Sequence, residues 1–198
     1  MNGLILRSIL IIALSPLMVV VACIKIQTGP QTADEAKESS EVRGKGFRVE
    51  WATRLDAASP REKINLVRTL IDSVGASYLR YGRNVSEQWR QGSAGRGEAI
   101  KDTEMQAIVQ RWNEGQQPVM KAYEEVIEKG LDQIDRTRAF DRRVLDKLAE
   151  LRDHFYKVYA TVFFPRGTTD TYNEKLDLLA RDGQRIGTEL DQEMNRYR

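Results

Sequence analysis

Apolar residues recur every three or four positions through four long stretches of this chain, and no other feature restricts its fold as strongly. At about 100° per residue such positions fall on one stripe of a helix, and each stripe must be covered by another element. The first stretch carries Ile64, Val67, Ile71, Val74, Tyr78, Tyr81, Val85 and Trp89. Ser59-Pro60-Arg61-Glu62 opens it with an N-cap serine, a proline at the first helical position and a glutamate three residues after the cap, which together make a capping box. Gly92 to Gly97, rich in glycine and serine, is expected to be the loop that ends it. That helix alone is about 48 Å long at 1.5 Å per residue, too long for a compact globule.

The second stretch holds Met105, Ile108, Val109, Trp112, Val119, Met120, Tyr123, Val126, Ile127 and Ile134, with Pro118 in its middle. Its apolar residues keep their phase across the proline, which predicts a kinked helix and not a break. It should stop at Gly130 or within the charged run Asp135 to Arg143. The third stripe is Val144, Leu148, Leu151, Phe155, Val158 and Val162, ending before Pro165, with Gly167 to Asp170 as the turn. The fourth, narrower, is Tyr172, Leu176, Leu179, Ile186, Leu190, Met194 and Tyr197. The fold expected is all-α, an elongated up-and-down four-helix bundle, with Phe47, Trp51 and Leu55 on a short extra N-terminal helix at one end. The alternative is a long coiled-coil rod, because the second and third stripes are also in phase across Gly130 to Asp141.

The N-terminal residues read differently. Arg7 is followed by an apolar run from Ile9 to Val21, interrupted only by Ser15 and Pro16, and then by Ala22 and Cys23. This is signal-peptide anatomy; from Ser8 to Ile24, about seventeen residues, the segment is barely long enough to span a bilayer, and Pro16 weakens a spanning helix. Val20-Val21-Ala22-Cys23 resembles the lipobox of bacterial lipoproteins, departing from it at Val20, where Leu is commoner. The resemblance implies cleavage between Ala22 and Cys23, a diacylglyceryl thioether on Cys23 and acylation of the new amino terminus. Two or three acyl chains give a lasting anchor where one is marginal. The implied location is the cell envelope, facing the periplasm; Ile24, in place of the Asp that retains such proteins at the inner membrane, points to the outer membrane, and an inner-membrane signal anchor is the alternative. The organisation expected is a signal peptide over 1–22, a largely unstructured lipidated tether over 23–45 and a helical bundle over 46–198.

Little else in the chain carries chemistry. Lys and Arg number 31 against 29 Asp and Glu, and Arg7 and Lys25 account for the excess, so no basic surface for nucleic acid is expected. The single cysteine excludes an internal disulfide and any Cys-based zinc or iron–sulfur site, and Cys-x-x-Cys-His is absent. The single histidine, His154, stands at the edge of the third stripe without a Glu-x-x-His pattern and reads as a core residue. Carboxylates such as Glu124, Glu125 and Glu128 interleave with Lys129 as on a solvated face. Asn84-Val85-Ser86 matches a glycosylation triplet but lies inside an expected helix. No catalytic residue, cofactor or metal site is expected, and the chain does not read as an enzyme. On the third helix, however, Leu145, Tyr156 and Phe163, with Tyr159 between them, form a second apolar row that would be surplus to a bundle core and would mark a face for a partner or a second copy. The expected function is that of a non-enzymatic envelope lipoprotein, an adaptor, assembly factor or accessory subunit acting through protein–protein contacts; the alternative is a sensor or binding module holding a small ligand or lipid between its helices.

Overall fold

The computed structural model describes residues 33–96 and 102–196. The targeting segment, the lipobox and Cys23 lie outside those residues, as do Gly97 and Tyr197. Five helices follow one another: α1 (Ala33–Ala57), α2 (Pro60–Arg96), α3 (Asp102–Thr137), α4 (Arg142–Phe163) and α5 (Thr169–Asn195), with no strand among the described residues. None of these helices is long and apolar enough to cross a membrane.

Helices α2 to α5 form the up-and-down bundle. Tyr81 stacks on Trp112, Tyr156 reaches Glu128, Lys147 meets Glu189 and Arg83 meets Asp177, so each helix runs antiparallel to the next and α5 closes against α2. The expected capping box is present: the Ser59 N–H donates to Glu62 Oε2 at 2.8 Å, and the Glu62 N–H donates to Ser59 Oγ. A second box, of Thr168 and Thr171, starts α5. The stripes form one continuous core, with Ile64, Leu70, Ile127, Ile134, Leu148, Leu151, Phe155, Tyr172, Leu176 and Leu190 all fully buried.

Three boundaries differ from expectation. Helix α2 runs through Gly92 and Gly95 to Arg96 instead of stopping at Gly92. Extending an established helix costs little per residue, so two glycines do not end it. Gly130 is not a stop but an interior residue of α3, and a side chain there would fall 2.4 Å from Val67 Cγ2, so glycine lets α2 and α1 approach α3 closely. The rod alternative is excluded, because α3 ends at Thr137, Arg138 takes a left-handed conformation (φ 49°), and Asp141 caps α4 by accepting the Arg143 N–H at 2.9 Å.

The largest departure is α1. Residues 33–45 are helical, not an unstructured tether, and the extra helix is 25 residues long instead of a short piece at one end. It packs along α3 and parallel to it, the contacts advancing together from Ser40 at Val119, through Phe47 at Tyr123 and Arg48 at Glu125, to Asp56 at Lys129. The Pro118 site explains the docking. Pro118 has no N–H and its ring crowds the carbonyl one turn back, which opens the hydrogen-bond ladder beside it. The buried Val119 N–H donates to Ser40 Oγ at 3.2 Å, and Ser40 is 0% exposed. One turn later Gly44 lets the two backbones touch, since a side chain there would lie 2.9 Å from the Pro118 carbonyl oxygen. Helix α3 thus passes through Pro118 unbroken, as its phase predicts, and α1 docks beside the proline with Ser40 accepting from the next N–H.

Candidate functional site

Helices α4 and α5 meet along a seam of charge. Lys147 Nζ lies 2.6 Å from Glu150 and 2.5 Å from Glu189, and Arg185 lies 2.8 Å from Glu189 and 3.2 Å from Glu150, which closes a ring of two cations and two carboxylates. The hydrogen bonds from Lys147, and secondarily from Arg185, hold both carboxyls below the usual range, and Glu150 and Glu189 in turn raise Lys147. The i,i+3 and i,i+4 spacings within each helix are legible in the sequence; the pairing across the seam is not.

Further along the same seam His154 is 8% exposed. Its imidazole occupies the space beside Gly183, where a side chain would fall 2.8 Å from Nε2. Burial pushes its pKa below the ordinary value, opposed by Asp182 and reinforced by Lys157 and Arg185. The histidine therefore sits in the packed seam, as its place at the edge of the stripe suggests. Beside it, between α2, α4 and α5, runs a groove of about 310 Å³ whose floor is Ile71, Leu151, Phe155 and Val158 and whose walls are thinned by Gly75, Gly183 and Gly187. Arg68, bridging Asp72 and Asp191, stands at its rim. Sequence reasoning missed this groove. The glycines were visible, but their convergence from two helices was not.

The apolar row on the third stripe is not a surplus face. Phe163 is 2% exposed and lies in the core, its ring 5.5 Å from Trp112 and nearly parallel to it, 5.8 Å from Tyr81 and 5.0 Å from Tyr78. Tyr159 packs on Tyr78 and Phe163, and Tyr156 donates its hydroxyl to Glu128 on α3 at 2.9 Å. With Leu145, these tyrosines are half-buried against the same core. The row is wide because α4 faces three helices at once. Among the described residues, the large apolar side chains most exposed are instead Val42 and Val49 on the outer side of α1, Phe164 just past α4, and Leu178 on α5.

No group of three or more histidine, cysteine, aspartate or glutamate side chains among the described residues is placed to hold a metal ion. In comparisons with known proteins, no family model matches the chain, and no curated protein or solved structure is similar to it.

Proposed function

We propose that the chain is a lipid-anchored envelope protein, held in the membrane through Cys23 and facing the periplasm, whose helical bundle works as an adaptor, assembly factor or accessory subunit through protein–protein contacts. The observation that carries this reading is the filled interior: large side chains, among them Phe155, Tyr172, Leu148 and Leu190, occupy the bundle axis, and the grooves lie in the seams between helices. Such a body offers a stiff outer surface. Photoreactive residues placed at Val42, Val49 and Leu178 in living cells should each be tested for a discrete adduct of defined mass. Specific adducts at one of these sites, lost when Cys23→Ser removes the anchor, are the expected outcome; only lipid adducts at all three would overturn the reading. The anchor itself is checked by acyl-chain labelling, which Cys23→Ser should abolish.

The groove beside His154 favours a second reading, that of a module binding a small ligand or lipid, since its volume lies at the small end of ligand sites. Gly75 faces open space, so Gly75→Leu would plug the groove at little steric cost. A molecule seen by native mass spectrometry in the purified protein and absent from that variant would support this reading over the first.

A further inference from the structure

Helix α1 turns one row inward, Ser40, Gly44, Phe47, Trp51 and Leu55, which pack on α3 and the core. Val42, Gly46, Val49 and Thr53 each stand two residues from a member of that row, and at about 100° per residue they fall on the opposite face. That face is exposed and uncharged, on a helix otherwise dense in Lys, Arg, Glu and Asp. Val42 and Val49 are 68% and 69% exposed, and the Thr53 hydroxyl is spent within the helix, donating to the Val49 carbonyl at 2.9 Å. Gly46 has no purpose within the monomer. Among the described residues nothing lies within 4 Å of where its side chain would be, whereas Gly44 is required by the Pro118 carbonyl oxygen, 2.9 Å from the corresponding point. Glycine is a poor helix former, and a helix interior keeps one where another backbone comes close.

Positions 42, 46, 49 and 53 are spaced as the a and d positions of a heptad seam. The charged residues that flank this seam are Glu38 and Lys45 on one side and Arg43 and Glu50 on the other. Two copies of α1 laid in parallel along it would set Glu38 of one copy beside Arg43 of the other, and Lys45 beside Glu50, twice over by symmetry. All four then meet an opposite charge, which is how flanking residues select partner and direction in a coiled coil. Antiparallel pairing would instead set Lys45 beside Ala52 or beside a second Lys45. The seam stops at Asp56, which Lys129 and Gln133 of α3 hold.

We propose that this outer face of α1 is a homodimer seam, in which two copies of the chain pair α1 with α1 in parallel, Gly46 against Gly46 and the valines in the layers on either side. The pairing stands on α1 alone and does not require the anchor at Cys23. A seam of two heptads is small for a protein interface, so the association is weak and cross-linking is the suitable readout. Full chains carrying Val42→Cys, Val49→Cys or, on another face, Leu178→Cys are oxidised with copper phenanthroline in the membranes of expressing cells, and the linked residues are identified by mass spectrometry; the wild type gives the background from Cys23. Residue 42 should link to 42 and residue 49 to 49, several-fold above 178 to 178. Adding Arg43→Glu sets a carboxylate beside Glu38 of the other copy and should reduce both links several-fold. Adding Glu38→Arg to that chain should restore them, as only a self-pair would. Gly46→Glu, for which the monomer has open space, should abolish the links without lowering the melting temperature of the purified full chain. Loss on Arg43→Glu without rescue overturns the seam. Links of 42 to 53 in a mixture of Val42→Cys and Thr53→Cys chains, in place of 42 to 42, overturn the parallel sense. A residue 49 thiol that links to Cys23 of its own chain or to a different protein, and not to its counterpart, assigns the face to that occupant and overturns the self-pair.

Discussion

Tyr156 shows how one side chain can be read two ways. Its spacing on α4 suggests an apolar face left over, but its hydroxyl crosses to Glu128 and its ring meets the edge of Phe155. Tyr156→Glu would set a carboxylate beside Glu128 with no cation added, and should destabilise the domain by about 2–3 kcal/mol, or roughly 5–10 °C in Tm. Tyr156→Phe, losing only the hydrogen bond, should cost about 1 kcal/mol. Thermal unfolding of both variants checks the pair. His154 makes a prediction in pH. Its folded-state pKa lies below the ordinary value of 6.5 because burial disfavours the imidazolium, so the unfolded chain takes the proton first as pH falls. The stability due to the neutral ring is present above the unfolded value of about pH 6.5 and is lost as pH falls from there through the lower folded-state value. The groups around it are Asp182, Lys157 and Arg185, with Arg68 and Asp72 across the groove. Burial raises the carboxyl of Glu124, which gives a slope of opposite sign common to the wild type and a histidine variant. Denaturant unfolding between about pH 7.5 and 5.5 should therefore show a decline in the wild type that is reduced in His154→Gln, the difference isolating the one histidine.

At the scale of the element, α1 is the helix whose boundaries the sequence concealed. Positions 40, 44, 47, 51 and 55 follow the three-and-four spacing of a helix stripe, but the first two are serine and glycine. A search for apolar residues finds only Phe47, Trp51 and Leu55 and starts the helix too late. The small residues belong to the stripe because the partner surface at Pro118 is a backbone, not a side chain. Ser40→Ala should cost about 1 kcal/mol by removing the hydrogen bond to the buried Val119 N–H. Gly44→Val should be worse for α1 alone, since the new side chain meets the Pro118 carbonyl oxygen. Hydrogen exchange should then show α1 unprotected while α2, α4 and α5 keep their protection. The exposed Arg48–Glu125 pair on the same seam supplies the contrast, and Arg48→Ala should move stability by less than about 1 kcal/mol.

For the whole molecule, the decisive length is that of α2. At 37 residues it is about 55 Å long, and the other helices pack within that span. Small-angle scattering of the chain from Ala33 onward should give a longest dimension near this value. A continuous α3–α4 rod would approach about 90 Å.

The spacing of apolar residues was sufficient to specify the all-α fold, the four long stripes, the capping box at Ser59 and the passage of α3 through Pro118. These are local properties, set by a 3.6-residue period and by hydrogen bonds within a turn. The lipobox-like residues Val20 to Cys23 were likewise visible in the sequence, and the anchor they imply is a proposal. What the tertiary structure decided was every relation between helices: that α1 lies along α3, that the row of Tyr156, Tyr159 and Phe163 is turned inward, and that His154 shares a seam with Gly183. The period of a helix shows which residues share a face, but which neighbour covers that face depends on the crossing of helices far apart in the chain. Glycine and serine, which carry no apolar signal, decide how closely those helices approach.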